Sequence, residues 1–192
     1  MSTANLAGGF PAVPTDAARA FRAALTAMAH PGRITAIDGA RPPSPLSVAA
    51  GTLLLVLADS ETPVHLAGPH DTPAVREWLA FHASVRFVTP AEAVWAVGEW
   101  ASLTPIDRFP AGTPQYPERS TTLIIERDEL VPKGERLTGP GIADAHRLAL
   151  PDPDALRANA ARFPLGVDCF FTTGNRLAAL PRSTRIGESQ CT

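Results

Sequence analysis

Lysine is almost missing from this chain. Lys133 is the only one, so 16 of the 17 basic residues are arginine. Chemistry that needs an amine nucleophile, such as a Schiff base, must use Lys133 or be absent. Cysteine is as scarce: Cys169 and Cys191 lie 22 positions apart and form no CxxC. That spacing points to neither a disulfide framework nor a zinc site. Charge of one sign does not dominate either. The net charge is -2, which argues against a general nucleic-acid binder, since such proteins carry a basic stripe. The longest apolar run, positions 53–58, falls far short of the ~20 residues that span a bilayer. Positions 1–14 lack the basic-plus-apolar pattern of a leader, so the chain is read as soluble and cytoplasmic, with no membrane or nucleic-acid partner.

Familiar motifs are missing as well. Lys133 precedes Gly134 and cannot close a P-loop. Gly139-Pro140-Gly141 supplies only half of a dinucleotide loop, and Pro140 has no N–H to offer a phosphate. There is no G-x-S-x-G elbow, and His65, His70 and His82 are not at HExxH spacing.

At 192 residues, 45% of them hydrophobic, the chain suits one domain that buries roughly 70% of its unfolded surface. Positions 1–14 read as a flexible arm, 15–186 as a single α/β domain and 187–192 as a frayed tail. Thr15 or Asp16 is expected to cap a helix to about Ala29, with Phe21, Leu25 and Met28 on its apolar face. A strand follows over 33–37. Ser44-Pro45 reads as a cap and first turn of a helix that is apolar nearly all round. A strand over 63–67 precedes a helix opened by Thr72-Pro73. Further strands are expected over 85–88, 93–97, 121–126, 167–173 and within 177–186. Helices are expected over 100–109 and from Asp152-Pro153 to Arg162. This alternation implies a three-layer α/β/α sandwich with a mixed, mostly parallel sheet, whose ligands would sit beyond the carboxyl ends of the strands.

Several polar residues carry chemistry in more than one reading. Arg22 is either a bidentate fork for a carboxylate, phosphate or phosphonate or a surface arginine. Asp59 and Glu61, beside Thr62, oppose the dipole of the preceding helix; they either have a compensating use, such as an arginine partner or a metal, or form a solvated turn. His82 reads as a half-buried structural histidine. Glu118-Arg119 sits either in a ligand or interface loop or in a plain solvated loop before the strand. Asp168 opens an apolar strand and requires a counter-charge; Arg182 is its natural partner. Gly139, Pro140 and Gly141 read as a tight turn where backbone approaches something closely.

Seven ordered segments make the pattern specific: FRAALTAMAHPG (21–32), LADSETPV (57–64), FHAS (81–84), GTPQYPERSTTLI (112–124), LTGPGI (137–142), FPLGVD (163–168) and ALPRST (179–184). The series resembles the H-subunit family (PhnH) of the bacterial carbon–phosphorus lyase system, which degrades phosphonates. The resemblance implies a fold like the large domain of pyridoxal-phosphate (PLP) transferases, with about seven strands, but no use of that cofactor. It implies a homodimer when isolated, a core complex with G, I and J subunits, and joint action with the L subunit. The role implied is accessory: supporting transfer of the ribose-triphosphate part of ATP to methylphosphonate, with catalysis on another subunit. It also implies ligand or interface roles for Arg22, Glu61, Thr62, Glu118, Arg182 and Thr184, and structural roles for Gly139, Pro140, Gly141 and Asp168. His30 departs from the arginine often found before the Pro-Gly pair. The alternatives are a stand-alone transferase-like enzyme anchored on Lys133 and a small-anion binding module.

Overall fold

The computed structural model describes residues 7–187. Positions 1–6 of the expected arm and 188–192 of the expected tail lie outside the described residues. Helix α1 spans Val13–Ala29, with Pro14 in its first turn. It starts before the expected cap at Thr15, because proline suits a first helical turn where the N–H has no partner. Its inward face also differs from expectation. Ala20, Ala24 and Ala27 are buried, whereas Phe21 and Leu25 are 45% and 54% exposed. Small side chains let the helix lie close on α2 (Val48–Leu57) and β8 (Arg176–Leu180).

Helix α2 is buried at every position from 49 to 54, as its unbroken apolar sequence requires. Its cap is Ser47, whose hydroxyl accepts from the Ala50 N–H at 3.1 Å, rather than Ser44. The buried Thr52 hydroxyl accepts from the Ala40 N–H at 3.2 Å, so it is not left unsatisfied. Thr72 caps α3 (Pro73–Ala83) by accepting from Val75 N–H. Asp152 does the same for α5 (Pro153–Ala160) through Ala155 N–H.

Among the described residues the main sheet has six strands, not the seven expected. They are β1 (Thr35–Ala36), β2 (Val64–Leu66), β3 (Trp95–Glu99), β4 (Thr122–Glu126), β7 (Asp168–Thr173) and β8. Their order is β1-β8-β7-β4-β3-β2. The four strands β2, β3, β4 and β7 run parallel; β8 is antiparallel to β7, and β1 to β8. Positions 85–88 supply only an isolated bridge, Val64 to Phe87. A second, antiparallel sheet comprises β5 (Glu135–Thr138), β6 (His146–Leu148) and β9 (Arg185–Gly187), in the order β6-β5-β9. The expected strand or hairpin within 177–186 therefore divides between the two sheets, turning at Pro181–Thr184.

Both faces of the main sheet are covered, so the central strands are apolar on both sides. Ile124 and Phe170 face α1, α2 and α3. Leu123, Ile125, Cys169 and Phe171 face Leu137, Leu148 and Leu156 of the small sheet and α5. Burial pushes the Cys169 thiol pKa far up, so it packs as a small hydrophobe. The helix expected over 100–109 is interrupted. Helix α4 spans only Trp100–Leu103, and a separate turn, Ile106–Arg108, follows Pro105. Proline has no N–H to continue the ladder and disfavours helical backbone in the residue before it.

Candidate functional site

The polar residues singled out from sequence gather mainly at the amino ends of the parallel strands. Asp168 opens β7 and Arg182 follows β8, so the β7–β8 hairpin brings them together. Arg182 Nη2 lies 2.6 Å from Asp168 Oδ2, its Nε 3.1 Å from Oδ1, and its backbone N–H also donates to Oδ1 at 2.8 Å. The same guanidinium donates to Ser120 Oγ and Pro117 O, which tie it to the segment entering β4. This is a bidentate fork of the strong, charge-assisted kind. Its side chains are only 12% and 22% exposed. Arg182 is thus spent on the fold.

Beside this node lies a cavity of about 570 Å³, lined by Gly139, Pro140, Arg157, Phe163, Arg182 and Thr184 among others. Thr184 is 1% exposed and its hydroxyl has no hydrogen-bond partner. Arg157, like Arg182, is already paired: it bonds Glu135 and Asp154 and donates to Ile186 O and Gly187 O. Gly139 and Gly141 both have positive φ. A Cβ at Gly141 would fall 1.9 Å from Ala29 O, and one at Gly139 would fall 3.3 Å from Ser183 O. The Gly-Pro-Gly turn therefore lets the end of β5 pass against the end of α1 and the 181–184 turn. His30, at the end of α1, faces Gly141 O across 3.4 Å.

The remaining sequence candidates do not join that cavity. Asp59 closes a turn by accepting the N–H groups of Glu61 (2.9 Å) and Thr62 (3.0 Å) and the Thr62 hydroxyl. Those bonds, the Glu61 N–H first, hold its carboxyl below the usual carboxylate range. Glu61 is exposed, as is Glu118 in the loop before β4. Arg22 is exposed on α1 near Pro14, Thr15, Ala18 and Arg19. Lys133 is exposed in the connection before β5.

At the other end of the sheet is a crevice that the sequence reading placed in general terms but without residues. Glu99 closes β3 and Glu126 closes β4, and the two are register partners on adjacent strands. Glu126 Oε1 accepts the Ser47 N–H at 2.7 Å, at the start of α2, and its Oε2 accepts the Thr172 hydroxyl at 3.0 Å. Burial holds the Glu126 carboxyl above its ordinary pKa, partly offset by these bonds. His70, in the turn after β2, is 3% exposed, and its Nδ1 has no hydrogen-bond partner. Burial lowers its pKa, with Glu99 pulling the other way. A recess of about 210 Å³ is lined by His70, Ser47, Glu99, Glu126 and Thr173 among others. It shares Glu99, Glu126, Arg127 and Asp128 with an adjoining cleft of about 580 Å³. Among the described residues, no three His, Cys, Asp or Glu side chains converge to hold a metal ion. The available sequence signal was two apolar strands, WAVGE and TLIIE, that each end on glutamate.

Fold and sites define an α/β protein built on four consecutive parallel strands, with an arginine-centred node at one end of the sheet and an acidic crevice at the other. Residues 8–187 match the family model described as "Bacterial phosphonate metabolism protein (PhnH)". The chain belongs to that family. It is 36% identical, over 93% of its length and 94% of the relative's, to the "Alpha-D-ribose 1-methylphosphonate 5-triphosphate synthase subunit PhnH" of Rhizobium meliloti (strain 1021). It is 32% identical, with the same coverage of each chain, to the "Putative C-P lyase subunit protein HtxG" of Stutzerimonas stutzeri.

Proposed function

We propose that this chain is an accessory subunit of the carbon–phosphorus lyase core complex in phosphonate catabolism. In this reading it joins G, I and J subunits, acts together with the L subunit, and supports transfer of the ribose-triphosphate part of ATP to methylphosphonate. Catalysis resides on another subunit, and the isolated chain is a cytoplasmic homodimer. The observation that carries the reading is the similarity over 93% of the chain to a relative named as a synthase subunit. Two features of the structure support it. Arg182 and Arg157 are held by carboxylates within the fold, so an anion clamp would have to break those pairs. Helix α1 presents Val13, Phe21 and Leu25 to solvent along one stripe, a surface suited to a partner subunit.

A role for PLP is not part of the proposal. Lys133 is exposed on a loop, and the N-terminus of α2, where an α/β protein would cradle a phosphate, already receives the Glu126 carboxylate. Incubation with the cofactor should leave the protein without an internal-aldimine absorbance band. For the complex, the test is co-expression of this chain, tagged, with the G, I, J and L subunits of the same organism. The expected outcome is stoichiometric capture of G, I and J, and loss of ribose-triphosphate transfer when this chain is omitted. Failure to assemble would sink the proposal.

A further inference from the structure

We propose that the crevice beyond the carboxyl ends of β3 and β4 binds an organic cation bearing N–H groups, a primary ammonium or a guanidinium, between Glu99 and Glu126 with His70 as acceptor. This site is separate from the arginine-centred node and from the exposed stripe of α1.

Four observations carry it. Glu99 and Glu126 are register partners on neighbouring strands, and like charges placed opposite each other in a sheet are destabilising. The pair stands where open parallel sheets receive ligands. Second, His70 is almost wholly buried, lines the recess, and leaves Nδ1 without a partner. A buried polar group with an unmade hydrogen bond costs stability unless something completes it. Third, the charge has a sign. The joined recess and cleft are lined by Glu99, Glu126, Asp128 and Glu129 against a single cation, Arg127. Arg127 makes no ion pair among the described residues, and its single charge offsets only part of theirs.

The fourth observation excludes the usual guest of such a position. Helix α2 points its N-terminus at the recess, but the Ser47 N–H is already bonded to Glu126. The chain's own carboxylate fills the place of a phosphate. A metal ion is disfavoured because, among the described residues, no three ligand side chains converge. An N–H cation remains, and it matches the groups present: two carboxylates and the unpartnered Nδ1 of His70. It has two possible sources, a small free amine or guanidine and a basic side chain of a partner subunit.

The test uses the full chain titrated with methylguanidinium chloride or propylammonium chloride, with tetramethylammonium chloride at matched ionic strength as control. The readout is the His70 ring resonance, assigned by its loss in His70→Gln. We expect saturable shifts with the two N–H cations and none with tetramethylammonium. Glu99 is exposed, so Glu99→Gln folds normally, and it should weaken binding about tenfold or more. Glu126→Gln keeps an acceptor for Ser47 and should weaken binding comparably. No saturable shift, an equal response to tetramethylammonium, or unchanged affinity in Glu99→Gln overturns the proposal. Capture of the lyase subunits by Glu99→Gln then identifies the source. Weakened capture assigns the cation to a partner's side chain; normal capture assigns it to a free molecule. A chain that binds these cations but assembles with no lyase subunit would overturn the proposed function and leave this site standing.

Discussion

Arg182→Ala should be among the most destabilising single changes in the chain. It removes a guanidinium that holds both Asp168 oxygens, Ser120 and Pro117 O. The change leaves Asp168 little exposed and without its cation, which costs about 3 kcal/mol. Urea unfolding of the variant should show the loss as a shifted midpoint with an unchanged slope. Gly141→Ala should cost at least about 2 kcal/mol, because it combines a positive φ with a methyl group lodged against Ala29 O. Glu126 gives a prediction in pH. Its folded pKa is raised above the unfolded value by burial. The folded state therefore binds the proton more tightly, and this contribution to stability is present at low pH and lost as pH rises through the folded pKa. Glu126→Gln should remove that loss. Thermal melts should show the variant gaining on wild type between the acid range and neutrality, and a constant difference across that range would refute the assignment. At this scale the sequence was legible where partners belong to one hairpin, as with Asp168 and Arg182. It was not legible for His70, Glu99 and Glu126, whose meeting depends on the register of β2, β3 and β4 and on the placement of α2.

At the scale of the element, α1 shows how periodicity can choose the wrong face. Phe21, Leu25 and Met28 recur at helical spacing, but Ala20, Ala24 and Ala27 do too; the alanines are buried, Met28 packs partly against the core, and Phe21 and Leu25 face solvent. Close approach to α2 and β8 has no room for large side chains. Ala24→Leu should therefore destabilise by about 1–3 kcal/mol through overpacking. Phe21→Ser should stay within about 0.5 kcal/mol of wild type. Comparing the two melts separates a packed face from an exposed one, and a larger loss in Phe21→Ser would contradict the structure. Long strands such as TLIIE and VDCFFTT declared themselves because apolar residues fill both faces. Strands β5, β6 and β9 did not. Each has three or four residues, their buried positions are as few as Glu135, Leu137 and Leu148, and the pairing of β5 with β9 joins segments as far apart in sequence as Arg136 and Gly187. Pro105 was visible all along, and its effect on the 100–109 helix follows from its missing N–H.

For the molecule as a whole, the main sheet is closed on its second face by a small sheet whose last strand is β9. That strand pairs with β5 through Arg136 to Gly187, Leu137 to Ile186 and Thr138 to Arg185. Its carbonyls at Ile186 and Gly187 also receive the Arg157 guanidinium of α5. Strand β9 therefore joins two covering elements that share no strand order with the main sheet. A chain ending at position 184 should keep the main sheet, because none of its six strands is removed. It should lose the closure over Leu137 and Leu148, both fully buried in the intact fold. The expected signature is a broadened urea transition, with the small sheet opening before the main sheet, and binding of a hydrophobic dye at urea concentrations where the intact chain binds none. A chain ending at 187 is the control, since it keeps β9. If the two truncations unfold alike, β9 is not what holds the small sheet in place, and the cover over the second face must rest on α5 and the β5–β6 pairing alone.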